Sequence, residues 1–355
     1  MRGSQITGAL FALILAIGAL VLVGDHRFPA PTSLPGPPRD VPRVVVALGD
    51  STVSGEGAGD YDPSTDGERN NWCHRSPHAF IHQLNVSGVD KTINLACSGA
   101  DTAQVGLGGA VQHTETSQTR RLAAIAGTNR VVAVVVAVGA NDDPSFADTL
   151  NGCIDAWFNR NGPACHGTLG REWPRRVEAM VPKVVKTLRD IKGVLAAIGY
   201  QDSDYSLVLQ SYAAPIGPNV AVGLQDLSGC PFRTEDLNWV QDVAMPELTS
   251  GLRRAAAGSG ARFLDLSRSG TGREACSAGA DPAKEWFQRL VVQWNDLRDE
   301  ARATHAVQES FHPNAAGHAQ FGRCLGEFLY TADRAAACLP GADGALHPAP
   351  STGLP

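Results

Sequence analysis

Five short runs of apolar residues punctuate the chain at 44–48, 92–96, 131–138, 206–210 and 262–266. The third, from Val131 to Val138, is apolar at every position, as expected of a strand covered on both faces. The stretches between them follow a different period. Val177, Val181, Val184, Val185, Leu188 and Ile191 line one face of a helix. Further helices are expected near Ser76, near Glu235 with an interruption at Pro246, and from Pro313. Strands alternating with helices predict a parallel sheet wound on both faces, with ligands bound at the carboxyl ends of its strands.

The two ends of the chain break this pattern. Ile6 to Gly24 is almost uncharged and matches a signal-peptide core or a spanning helix of about 20 residues. Small residues do not occupy both positions expected before a cleavage site, which favours an uncleaved anchor. Residues 25–42 are rich in proline and read as an extended spacer, and a domain is expected over 43–339. The tail, 340–355, lacks periodicity and is expected to be disordered. Residues 143–170 carry Cys153, Cys165, Phe146, Trp157 and Phe158, and are expected to form an insertion bordering the site.

A net charge of -6 without a long basic run gives a nucleic-acid surface little support. Eight cysteines (73, 97, 153, 165, 230, 276, 324 and 338), spread singly and without a CxxC pair, agree with export and disulfide bonding. Many pairings are open. Nearest-neighbour pairing is the simplest: Cys73 with Cys97, Cys153 with Cys165, Cys230 with Cys276, and Cys324 with Cys338.

Candidate chemistry sits at the strand ends. Gly49-Asp50-Ser51 follows the first strand, where Gly49 permits a sharp turn and Ser51 faces the ligand side. A serine hydroxyl needs a base, and His312 stands before Pro313 at an expected helix entrance. Glu309, three residues upstream, is placed to orient the imidazole. Asn141 in Gly-Ala-Asn-Asp and Gly99 in Cys-Ser-Gly-Ala follow two other strands, where an amide and a backbone N–H can meet a developing oxyanion. Asp50 and Asp142 read as loop braces.

These four blocks, in this order, resemble the SGNH (GDSL) hydrolase family, and the likeness spans about Val44 to Leu329. The stretches NNWCHRSPHAF, NLACSGA and DYSLVLQSY resemble its secreted, disulfide-bonded bacterial esterase/lipase branch. The resemblance implies a three-layer, flavodoxin-like, five-stranded parallel sheet and a serine ester hydrolase working through an acyl-enzyme without metal or organic cofactor. It implies Ser51 as nucleophile, His312 as base, and an oxyanion hole made of the Ser51 and Gly99 N–H groups and the Asn141 amide. The family usually has Asp where this chain has Glu309, and some relatives use a backbone carbonyl instead. The expected partner is a small-molecule, lipid or carbohydrate ester, met outside the cytoplasmic membrane by a monomer. Two alternatives are an acetylesterase or acyltransferase acting on cell-surface carbohydrate, and a surface protein that binds without turnover.

Overall fold

The computed structural model describes residues 36–350 except 280 and 301, so the expected signal or anchor segment and most of the spacer lie outside the described residues. Among the described residues, no helix is long and apolar enough to cross a membrane.

The chain opens with strand β1 (Arg43–Gly49), a single helical turn α1 (Ser51–Ser54) and β2 (Lys91–Asn94). Helix α2 (Gln118–Ala126) leads to β3 (Arg130–Ala137). Two helices follow, α3 (Phe146–Phe158) and the long α4 (Cys165–Ile198), and then β4 (Ser206–Gln210). Helix α5 (Met245–Ser259) precedes β5 (Arg262–Asp265), and α6 (Ala315–Leu329) precedes β6 (Ala335–Pro340) and β7 (Leu346–Pro350). The sheet order is β2-β1-β3-β4-β5-β6-β7, parallel except for the last pair.

Five of these strands are those read from the apolar runs, and their order reverses direction between β1 and β3. The sheet nevertheless has seven strands, not five. The expectation of a disordered tail is likewise corrected: 346–350 form the antiparallel edge strand. Pattern alone could not find it, because Pro348 and Pro350 suppress any strand signal. Prolines are tolerated at an edge, where one side of the strand needs no ladder bonds. Leu346 is buried, its N–H donates to the Gln320 side chain at 3.0 Å, and the Cys324–Cys338 bridge ties α6 to β6.

The core lies on both sides of β1 and β3, whose apolar residues are almost wholly buried. Val177, Met180, Val184, Leu188, Ile191 and Leu195 of α4 pack into it. The expected helix near Ser76 is only a short 3₁₀ turn, Phe80–Gln83. Near Glu235 the helical path runs from Thr234 through a π-helical stretch, Val240–Ala244, into α5, and Pro246, the second residue of α5, lies just after that π-helical stretch. All eight cysteines pair with their nearest neighbours, as four disulfides. Four such bridges place the folded domain in an oxidising, extracytoplasmic setting.

The Cys230–Cys276 bridge closes the longest segment, with a separation of 46 residues. Replacing both cysteines by alanine should therefore cost about 4 kcal/mol and lower the melting temperature by roughly 6–10 °C. A calorimetric scan superimposable on that of the native protein would contradict this.

Candidate active site

The site is built where β1 stops. Gly49 holds φ +150°, and a Cβ there would lie 2.1 Å from the Ala137 carbonyl oxygen, so only glycine lets the chain turn off the sheet at this point. The Gln118 side chain clamps the Gly49 peptide from both sides, accepting from its N–H at 2.7 Å and donating to its carbonyl at 2.8 Å. Asp50 then caps α1, accepting from the Thr52 N–H at 3.1 Å, and also accepts from the Tyr212 hydroxyl. Burial pushes the Asp50 carboxyl up to about 7, against the opposing pull of the Tyr212 hydrogen bond. The first residue of α1 is Ser51.

His312 reaches the same place from a loop 261 residues later. Its Nε2 lies 2.8 Å from Ser51 Oγ, within hydrogen-bond range. Phe311, just before it, holds a left-handed φ of +60°, and the His312 carbonyl accepts from the Gln288 N–H at 2.8 Å. The following helix starts later than expected. Pro313 precedes the N-cap, which is Asn314, and the Asn314 side chain accepts from the Gly317 N–H at 3.0 Å. Burial lowers the His312 pKa below the ordinary histidine value, more than the nearby Glu56 carboxylate and the Ser310 carbonyl raise it. The ring is therefore neutral at neutral pH, as a base must be.

The Nδ1 side of the ring corrects the sequence reading. The Ser310 backbone carbonyl, 3.1 Å away, accepts from Nδ1 and so fixes the tautomer that leaves Nε2 free to accept from Ser51. Glu309 instead accepts from the Gln293 side-chain amide at 3.0 Å. Spacing put Glu309 in reach, but the left-handed Phe311 turns the loop so that main chain, not carboxylate, meets the ring.

Gly99 and Asn141 arrive at the same mouth. Gly99 holds φ +77° and is open to solvent, and neither its N–H nor that of Ser51 finds an acceptor among the described residues. Asn141 donates one amide hydrogen to the Ala100 carbonyl at 3.1 Å, which leaves its second for a ligand. Behind it, Asp142 braces the next loop by accepting from Thr102 N–H at 3.1 Å and Thr102 Oγ1 at 2.6 Å.

Ser51, Gly99, Asn141 and His312 all line one cavity of about 810 Å³. Its lining is mostly apolar and includes Phe146, Leu150 and Ile154 from α3 together with Phe287, Leu290 and Phe311. The expected insertion is thus helical, closed by Cys153–Cys165, and forms one wall.

A hydroxyl paired with a neutral imidazole at the strand ends of a doubly wound sheet defines a serine hydrolase. Residues 47–320 match the GDSL-like Lipase/Acylhydrolase family, and the chain belongs to it. It is a carboxylic ester hydrolase. The chain is 29% identical over 321 residues to Lipase 1 of Streptomyces coelicolor, covering 89% of this chain and 95% of that protein. It is 27% identical over 324 residues to a lipase of Streptomyces rimosus, covering 90% and 96%. The crystal structure of an extracellular lipase from Streptomyces rimosus aligns at 25% identity with a TM-score of 0.49, covering 78% of this chain and 94% of that one.

Sequence reasoning missed the polar groups behind the ring, Glu56, His74 and Gln308. Glu56 lies only five residues past Ser51, between two glycines, but nothing in that pattern says that its carboxylate is buried.

Because Glu309 does not touch the imidazole, Glu309→Ala should keep kcat/KM for a p-nitrophenyl ester within about threefold of the parent. A loss on the order of 10³ or more would restore Glu309 as the orienting acid.

Proposed function

We propose that the chain hydrolyses medium-chain acyl esters through an acyl-enzyme on Ser51, outside the cytoplasmic membrane. The 2.8 Å contact between Ser51 Oγ and His312 Nε2, at the mouth of an apolar cavity, carries this reading. As Ser51 attacks the ester carbonyl, His312 takes its proton, and the Ser310 carbonyl holds the imidazolium in place. The carbonyl oxygen becomes an anion, which accepts hydrogen bonds from the Ser51 and Gly99 N–H groups and the second amide hydrogen of Asn141. Collapse expels the alcohol, protonated by His312. Water then repeats the sequence on the acyl-enzyme and frees the acid.

The cavity supports an acyl chain rather than an acetyl group alone. Its volume of about 810 Å³ and its walls of Phe146, Leu150, Ile154 and Leu290 suit a flexible hydrocarbon, each buried methylene contributing about 0.8 kcal/mol. The names of the Streptomyces lipases point the same way. The apolar segment before residue 25 and the Pro-rich stretch to residue 42 support an exported domain held off the membrane by an anchor and spacer. Fractionation and N-terminal sequencing of the mature protein distinguish an anchor from a cleaved signal.

On a p-nitrophenyl ester series, kcat/KM should rise from acetyl toward octanoyl, by up to about fourfold per added methylene. Ser51→Ala should abolish turnover, and Asn141→Ala should lower kcat by about 10²–10³. An acetyl optimum that falls with chain length would favour the acetylesterase alternative. For the parent, kcat/KM should fall on acidification with a midpoint below about 6.5, the ordinary histidine value, because burial disfavours the imidazolium. A midpoint above about 7 would contradict the buried, neutral base.

A further inference from the structure

We infer that Glu56 is the positioning acid of this site: its buried carboxylate, charge-paired with His74, tethers the His312 loop through Gln308 and favours the imidazolium that forms as Ser51 attacks. The inference rests on the reading of Ser51 and His312 as nucleophile and base.

Glu56 has no exposed surface, yet its two carboxylate oxygens are fully engaged. His74 Nδ1 lies 2.9 and 3.0 Å from them, Ser98 Oγ donates to Oε2 at 2.7 Å, and Gln308 Nε2 donates to Oε2 at 2.8 Å. The Tyr61 hydroxyl donates to Oε1 at 3.4 Å, and its ring stacks on the His74 imidazole at 4.4 Å. The carboxylate and its partners come from separate parts of the site. Ser98 precedes the oxyanion-hole Gly99, Gln308 lies two residues before the Ser310 carbonyl that orients His312, and Glu56 itself follows α1. The next residue, Gly57, abuts the base directly, since a Cβ there would lie 2.9 Å from His312 Cβ. His74 and Phe311 both hold left-handed backbone, at φ +47° and +60°, as loops do when surrounding contacts force them. The Cys73–Cys97 bridge pins the residues immediately beside His74 and Ser98.

The Ser51–His312 pair does not itself require any of this. The network joins an acid, a base and three further donors around a carboxylate that has no exposed surface. Burial works against the charge on Glu56, but the hydrogen bond and the attraction of His74 outweigh it and hold the carboxyl below its usual range. Burial likewise opposes the charge on His74, which Glu56, Asp66 and Glu309 together restore, raising its pKa. Glu56 and His74 act electrostatically on His312, and His312 acts on His318 of α6, which burial pushes down to about 3 and so keeps neutral. Tyr61 borders Glu56, Asp66 lies 3.4 Å from His74 Nε2, and His113 borders His74 from the loop before α2. The net effect of Glu56 on His312 is to favour its charged form.

The test is the pH profile of kcat and kcat/KM for a p-nitrophenyl ester, in the full chain, per site titrated with a fluorophosphonate. Glu56→Gln keeps size and hydrogen bonding but removes the charge. It should lower kcat by about 10–100-fold with KM within about threefold, and move the acid limb of kcat/KM to lower pH by about half a pH unit or more. His74→Gln keeps a donor on Glu56 but removes the cation, and should move the same limb to higher pH. Melting temperature reports folding for each, and if one variant does not fold the other decides. A merely structural role would lower the melting temperature and leave the limb where it is. Folded variants whose limbs coincide with the parent overturn the inference while an inactive Ser51→Ala leaves the hydrolase reading intact. Turnover surviving in Ser51→Ala overturns both.

Discussion

A hydrogen bond between a hydroxyl and an imidazole is good over only a few tenths of an ångström, and here its two partners are separated by 261 residues. Meeting that tolerance is the constraint around which the rest of the molecule is organised. Ser51 is fixed because β1 is a central strand, paired on both sides, and because its last peptide is clamped by Gln118. His312 has no strand to hold it. Its place is set instead by the capped start of α6, by the Gln288 N–H on its carbonyl, and by Gly57, whose missing side chain lets the two stretches of chain pack closely at His312 and Pro313. Ser51 is thus positioned by the sheet, and His312 by contacts from three other segments.

Electrostatics follow from the same closeness. Groups packed this tightly lose water, and the lost water works on each ionisable group according to its partners. The imidazole of His312 has a backbone carbonyl on one side and a hydroxyl on the other, so burial keeps it neutral. Asp50, next to the nucleophile, has the Tyr212 hydroxyl and one N–H, too little to keep its carboxyl in the usual range. In the proposed reaction, a carboxyl that titrates near neutrality beside Ser51 repels the developing oxyanion less than a permanent anion would. Glu56, by contrast, has an imidazole and three further donors and stays charged.

What the sequence reveals of this follows from which features are local. Strands buried on both faces announce themselves as apolar runs, and residues directly after them fall at one edge of the sheet, so Ser51, Gly99 and Asn141 could be placed together before any coordinates. His312 was legible only through its combination with the other blocks. Glu309 misled because three-residue spacing fixes distance along a chain but not the direction of a loop, and the left-handed Phe311 sets that direction. Glu56, His74 and Gln308 left no trace, since their partnership is made by folding and a charged residue between glycines reads as a solvated turn. The edge strand β7 escaped for a related reason: its order comes from pairing with β6, while its own residues carry two prolines.

The cavity wall obeys a different logic from the reacting groups. Ser51, Gly99 and Asn141 inherit their positions from strand ends, but Phe146, Leu150 and Ile154 lie on α3, which no strand supports. It is held at its C-terminal end and through Cys153. The Arg233 guanidinium donates to the carbonyls of Ala156, Asn159 and Gly162, filling acceptors that the helix C-terminus leaves open. Three residues on, Asp236 accepts from the Cys165 and His166 N–H groups at the start of α4, and Cys153–Cys165 joins the two helices covalently. One short segment therefore puts a cation at the partly negative C-terminus of one helix and an anion at the partly positive N-terminus of the next. Substitutions along the inner face of α3 can reshape this cavity wall without disturbing the strand ends, so the wall proposed to hold an acyl chain is mechanically separate from the proposed reacting groups.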